Sequence, residues 1–83
     1  MLTVVYFAWV RELIGLDEER VEPPAGAKVA DVVASLAARS DGHTQALSDG
    51  GRLRAALDQQ FVALDTPVGA ARELALFPPV TGG

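Results

Sequence analysis

Cysteine is absent from this 83-residue chain, which removes disulfides, thiolate nucleophiles and thiolate metal sites together. Any sulfur chemistry must use another atom. Histidine occurs once, as His43; a single imidazole cannot build a metal cage, so no metal site is expected. Lysine also occurs once, as Lys28 after Gly26-Ala27, but Val21 stands where a phosphate-binding loop would need its first glycine. The chain therefore has no means of binding and using ATP by that route. Positive charge is scarce: seven Lys and Arg are scattered among eleven Asp and Glu, for a net charge of -4. That leaves no footprint for nucleic acid and would be repelled by an anionic membrane surface. No apolar run approaches the roughly 20 residues of a membrane span, and the first ten residues lack a basic signal-peptide start. The expectation is a cytoplasmic protein with neither nucleic-acid nor membrane partners.

What is present is an ordinary globular composition, 49% apolar and 22% charged, in a chain long enough for one small core. A domain of this size buries only about 60% of its unfolded surface. Little volume remains for a deep cleft, so the chain is not expected to be an enzyme on its own.

Leu2-Thr3-Val4-Val5-Tyr6-Phe7 alternates as a strand, with Leu2, Val4 and Tyr6 on one face and Val5 and Phe7 on the other. A short helix is expected over 8–16, where Trp9, Leu13 and Leu16 recur at helical spacing and Gly15 can close the last turn. Trp9 reads as packing and Arg11-Glu12 as a solvated or salt-bridged face. The run from Asp17 to Glu22 reads as an edge strand stopped by Pro23-Pro24, with Asp17-Glu18-Glu19 a solvated acidic turn. The clearest helix covers 29–39: Val29, Val32, Val33 and Leu36 share one face, and Gly42 is available beyond its end. Residues 40–51 read as a polar connecting loop with at most one helical turn at 44–47, and His43 as exposed within it. Leu53–Leu57 and Gln60–Leu64 read as strands around an Asp58-Gln59 turn, and Glu73–Phe77 as the last strand. The fold class is α+β, a mixed sheet of four to five strands with one main helix on one face, formed by residues 1–77.

Residues 78–83, Pro78-Pro79-Val80-Thr81-Gly82-Gly83, read as an extended C-terminal tail. The two prolines fix φ and favour a straight exit, and six extended residues reach roughly 20 Å. A terminal Gly-Gly can thread a narrow channel and offer its carboxylate without side-chain hindrance. A carboxylate is a poor acyl donor, so its use as a thiocarboxylate requires prior activation as an acyl-adenylate. An activating partner that uses ATP is thereby implied. Gly-Gly by itself is equally what a frayed terminus looks like; the longer ending is more specific.

Phe77-Pro78-Pro79-Val80-Thr81-Gly82-Gly83, with Val4-Val5-Tyr6-Phe7-Ala8, Arg11-Glu12-Leu13 and Gly15, resembles the small subunits of molybdopterin synthase. The resemblance implies a ubiquitin-like β-grasp fold and a sulfur carrier for molybdenum cofactor biosynthesis, in a two-plus-two complex with a large subunit. By the same resemblance Gly83 is adenylated by an E1-like adenylyltransferase, thiocarboxylated from a sulfur donor protein, and donates its sulfur to cyclic pyranopterin monophosphate. Pro78, Pro79, Val80, Thr81 and Gly82 would then form the segment that enters the large subunit, and this chain would bind no cofactor itself, ATP being used by the activating partner. Two turns depart from the family's common pattern: Asp58-Gln59 where Asn-Gln is frequent, and Ala71-Arg72-Glu73 where Gly-Asp-Glu is frequent.

Strand parity adds an expectation about binding. If Val62 and Leu64 face the core with Leu74, Leu76, Val4 and Tyr6, then Phe7, Phe61 and Phe77 share the opposite face. Three clustered aromatics beside the tail are a candidate partner-binding patch; a register shifted by one would instead place some of them in the core. The same Gly-Gly end also suits a ubiquitin-like protein modifier, a sulfur carrier for thiamin thiazole synthesis, or a plain interaction domain. The Phe-Pro-Pro-Val-Thr stem favours the molybdopterin route.

Overall fold

The computed structural model describes residues 1–79. Five strands, β1 (Leu2–Tyr6), β2 (Glu18–Val21), β3 (Arg54–Leu57), β4 (Gln60–Val62) and β5 (Glu73–Phe77), form one sheet in the order β2-β1-β5-β3-β4. The central β1–β5 pair is parallel, and the flanking pairs β1–β2, β5–β3 and β3–β4 are antiparallel. Three helices, α1 (Ala8–Ile14), α2 (Val29–Ala37) and α3 (Asp41–Leu47), and a short 3-10 turn (Gly50–Arg52) are the other elements among the described residues.

The alternation in β1 has the expected consequence: Leu2, Val4 and Tyr6 are buried, while Thr3 and Val5 are only partly covered. They pack with Leu74 and Leu76 of β5 against the apolar stripe Val29, Val32, Val33 and Leu36 of α2. Val62 and Leu64 lie at the margin of this core, as their parity requires. Lys28 precedes α2 without a side chain able to accept a hydrogen bond, but the Asp31 carboxylate accepts from the Lys28 N–H at 2.9 Å. That carboxylate satisfies one orphan donor and complements the helix dipole.

Several local expectations are corrected. α1 does turn at Gly15, which takes a left-handed φ of 85°. Its core residue, however, is Val10, with Ile14 partly covered; Leu13 and Leu16 are exposed. Of the expected residues only Trp9 packs against the core, because a helix this short buries a single residue fully, and spacing over nine residues cannot say which. α2 ends at Ala37, so Arg39 lies beyond it rather than in its last turn. The stretch expected as loop contains α3, capped by Ser40, whose Oγ accepts from the His43 N–H at 3.2 Å. His43, Ala46 and Leu47 make its buried face. Gly42 therefore sits inside a helix and not after one. A Cβ there would overlap the carbonyl oxygen of Leu13, so the missing side chain is what lets α3 lie close against α1.

His43 is 5% exposed, and the acidic turn is no turn at all for Glu19, which lies on β2 facing the helices. Glu19 Oε2 accepts from the Tyr6 hydroxyl at 2.6 Å and lies 2.6 Å from His43 Nε2, while Oε1 accepts from Arg39 Nη1 at 3.0 Å. Burial opposes the ionised carboxylate, but hydrogen bonds from Tyr6, His43 and Arg39 overcome it and hold the Glu19 pKa below its ordinary value. The Tyr6 phenol is pushed well above its usual range by burial and by its bond to that carboxylate, so it stays a donor. An ionised Glu19 is acceptor-only; His43 must then carry its proton on Nε2, leaving Nδ1 to meet the Ser40 hydroxyl at 2.7 Å. Among the described residues no buried side-chain nitrogen or oxygen lacks a partner.

The Asp58-Gln59 turn has φ of 47° and 70° at its two residues, the left-handed pair that a two-residue hairpin requires. Asp58 Oδ1 also accepts from the N–H groups of Arg72 and Glu73 at 2.9 and 3.0 Å. The two departures from the family pattern thus meet, and a carboxylate at 58 ties the hairpin to the start of β5.

Candidate docking face and C-terminal stem

On the face of the sheet away from the helices, the pairing register sets the side chains in rows. Val5, Ala75, Ala56 and Phe61 follow one another across β1, β5, β3 and β4. One step toward the end of β5, Phe77 stands opposite Arg54. Phe7 joins this second row because its N–H donates to the Leu76 carbonyl at 3.2 Å, continuing the β1–β5 pairing past the end of β1. Ala8 then takes a left-handed φ of 53°. That conformation, unfavourable for a residue with a Cβ, turns the chain into α1 immediately after Phe7.

All three phenylalanines are therefore on the outer face, as parity predicts. Phe61 is 81% exposed and Phe7 45%, while Phe77 is half-buried. The rings of Phe61 and Phe77 are tilted by 41° with centroids 5.6 Å apart, a separation within the favourable range for aromatic pairs. Exposure of this kind is unusual for a lone small domain, where large apolar side chains gain about 25 cal/mol for each Å² removed from water. Ala56 and Ala75 form a small-residue floor between them.

The stem leaves from the same end. Pro78 and Pro79 follow β5 directly and are half-buried. Pro79 joins Phe61, Phe77, Val62, Ala55 and Arg54 around a hollow of about 280 Å³. Val80, Thr81, Gly82 and Gly83 lie outside the described residues. Phe7, Phe61, Phe77, Pro78 and Pro79 are thus assembled at one end of one face, whereas His43 and Glu19 belong to the opposite side of the sheet. Trp9 packs at the edge of the core with the Arg52 guanidinium 5.4 Å from its ring centre.

Sequence reasoning missed Arg54. The signal was available, since Leu53, Ala55 and Leu57 face the core and parity then sends Arg54 to the phenylalanine side.

A mixed five-stranded sheet with helices on one face, and a proline stem leaving its central strand, defines a ubiquitin-like β-grasp protein. The small archaeal modifier protein 1 of Haloferax volcanii superimposes with a TM-score of 0.68 at 26% identity, over 95% of this chain and 97% of that one. In sequence, residues 4–83 match the ThiS family. The molybdopterin synthase sulfur carrier subunit of Escherichia coli is 43% identical over 83 residues, the whole of both chains. Its counterpart in Haemophilus influenzae is 41% identical over the same full length. The chain therefore belongs to the ThiS family and, within it, to the molybdopterin synthase sulfur carrier subunits. No helix among the described residues is long and apolar enough to cross a membrane.

Proposed function

We propose that the protein carries sulfur as a thiocarboxylate on Gly83 and delivers it to cyclic pyranopterin monophosphate inside the large subunit of molybdopterin synthase. The observation that carries this reading is the full-length similarity to sulfur carrier subunits in a chain whose proline stem leaves β5 beside an exposed aromatic face. An E1-like activating enzyme joins the Gly83 carboxylate to the AMP portion of ATP and releases pyrophosphate. A persulfide on the donor protein then attacks the acyl carbon and displaces AMP, and a second thiol cleaves the resulting acyl disulfide, leaving the thiocarboxylate on Gly83 and a disulfide on the thiol side. Inside the large subunit the thiocarboxylate sulfur bonds to a carbon of cyclic pyranopterin monophosphate and displaces an oxygen leaving group; water then cleaves the acyl–sulfur bond, which leaves the sulfur on the substrate and restores the Gly83 carboxylate. Pro78 and Pro79 restrict the stem's conformations before it enters a partner, which lowers the ordering cost of insertion. Val80, Thr81 and Gly82 form the rest of the inserted segment, and Phe7, Phe61 and Phe77 form the docking patch.

The test is intact-mass measurement of the chain after incubation with its activating enzyme, ATP and a sulfur donor. The expected product differs by exchange of one oxygen for sulfur, and deletion of Gly83 abolishes both that product and molybdopterin formation while leaving docking in place. Molybdopterin formation by the deletion variant would refute the reading. The likeness to an archaeal modifier protein favours a second use, in which the activated Gly83 forms isopeptide bonds with lysines. Covalent adducts of the chain on other proteins in the same incubation would identify it.

A further inference from the structure

We propose that Arg54 sets the specificity of the docking face by pairing with a carboxylate of the large subunit, one that flanks an apolar side chain seated in the Phe61–Phe77 hollow. This inference rests on the reading that the large subunit docks on the phenylalanine face. Arg54 stands opposite Phe77 in the strand register and lines the hollow with Phe61, Val62 and Pro79. Apolar walls with one cationic rim select a ligand of matching pattern: an apolar knob with an anion beside it.

The guanidinium is held in advance of binding. Its Nη1 donates to the Leu53 carbonyl at 2.9 Å and approaches that of Gly51 at 3.4 Å. Two backbone carbonyls thus fix the head group, while Nε and Nη2 make no hydrogen bond among the described residues. Those two nitrogens are an edge suited to bidentate pairing with a carboxylate, and anchoring through the third reduces the side-chain entropy lost on binding.

The charge distribution supports the same occupant. The protein is acidic, with eleven Asp and Glu against seven Lys and Arg, so an acidic partner surface would in general be repelled. On the outer face Glu73 lies level with Thr3 and Arg20, at the far end of the strands from Phe77, and Glu18 lies beyond Val5 at the β2 edge. Arg54 forms no ion pair among the described residues, unlike Arg39, which is spent on Glu19. A cation that forms no ion pair among the described residues, at the rim of an aromatic hollow on a protein of net negative charge, fixes where and in which orientation an acidic group can approach.

The experiment measures affinity of the full chain for the large subunit of the same organism, by calorimetry at low and high salt, with thermal melting as the check on folding. Arg54→Glu is expected to weaken binding by roughly tenfold or more at low salt and to flatten the salt dependence. Arg54→Lys should retain part of the affinity and Arg54→Met, which keeps the apolar stem, should lose most of the salt dependence. A Lys substitution at the paired acidic position of the large subunit should restore binding to Arg54→Glu. If Arg54→Glu and Arg54→Met bind as the native chain does while Phe61→Ala weakens binding, Arg54 has no specificity role and the docking face stands. If Phe61→Ala also leaves binding unchanged, the docking reading itself fails. Should Arg54→Glu melt early, Arg54→Met carries the same comparison.

Discussion

The two faces of the sheet solve opposite problems. On the helix side no buried side-chain nitrogen or oxygen among the described residues lacks a partner: Glu19 gathers Tyr6, Arg39 and His43 on its two oxygens, and the apolar side chains of the core are almost wholly buried. On the other side Phe61 and Phe7 stand in solvent and two nitrogens of Arg54 lack partners among the described residues. A small domain has little stability to spare. Leaving aromatics outside its core is consistent with a face whose partner lies on another chain. Substitutions on the helix side should therefore act on folding, and those on the outer side on association.

The largest effect on stability is expected from Glu19→Ala, which leaves the Tyr6 hydroxyl, His43 and Arg39 without their common acceptor. Loss of a buried charged acceptor of this kind costs about 3 kcal/mol, measured as a lower urea midpoint. The same group predicts a pH dependence. Its folded pKa is depressed, so its stabilising contribution is complete above the unfolded value of about 4.3 and is lost as pH falls through the folded value. Glu19→Gln should flatten that acid limb of the stability curve. An unchanged limb would mean that other carboxylates carry it.

Gly42→Ala comes next. The added methyl overlaps the Leu13 carbonyl, and forcing α3 away from α1 should cost about 2 kcal/mol. Retained stability in thermal melting would show that the two helices can separate without loss. The smallest effect on folding is expected from Phe61→Ala, whose ring is 81% exposed: a change within about 0.5 kcal/mol.

Much of the fold was legible because alternation and helical spacing are dictated by burial. β1, α2 and β5 followed from runs of Val and Leu at periods of two and 3.6, and the outer position of all three phenylalanines followed from the same parity. The errors cluster between residues 40 and 52. There Ser40, Gly42 and Gly50 read as loop composition, yet Ser40 caps α3 and Gly42 serves a helix crossing. The spacing of His43, Ala46 and Leu47 held the signal, but two of the three are a histidine and an alanine, which weigh little in a hydropathy pattern. Glu19 was hidden for another reason. A carboxylate inside an acidic run reads as solvated, and only the arrival of Arg39 and His43 from more than fifteen residues away makes its burial tolerable.

The division between the two faces is tested most directly by measuring Phe61→Ala twice on the same preparation, once by thermal melting and once by affinity for the large subunit. The account predicts an unchanged melting temperature and binding weakened by about 2 kcal/mol, as for an aromatic anchor in a desolvated contact. A lowered melting temperature with undiminished affinity would contradict it.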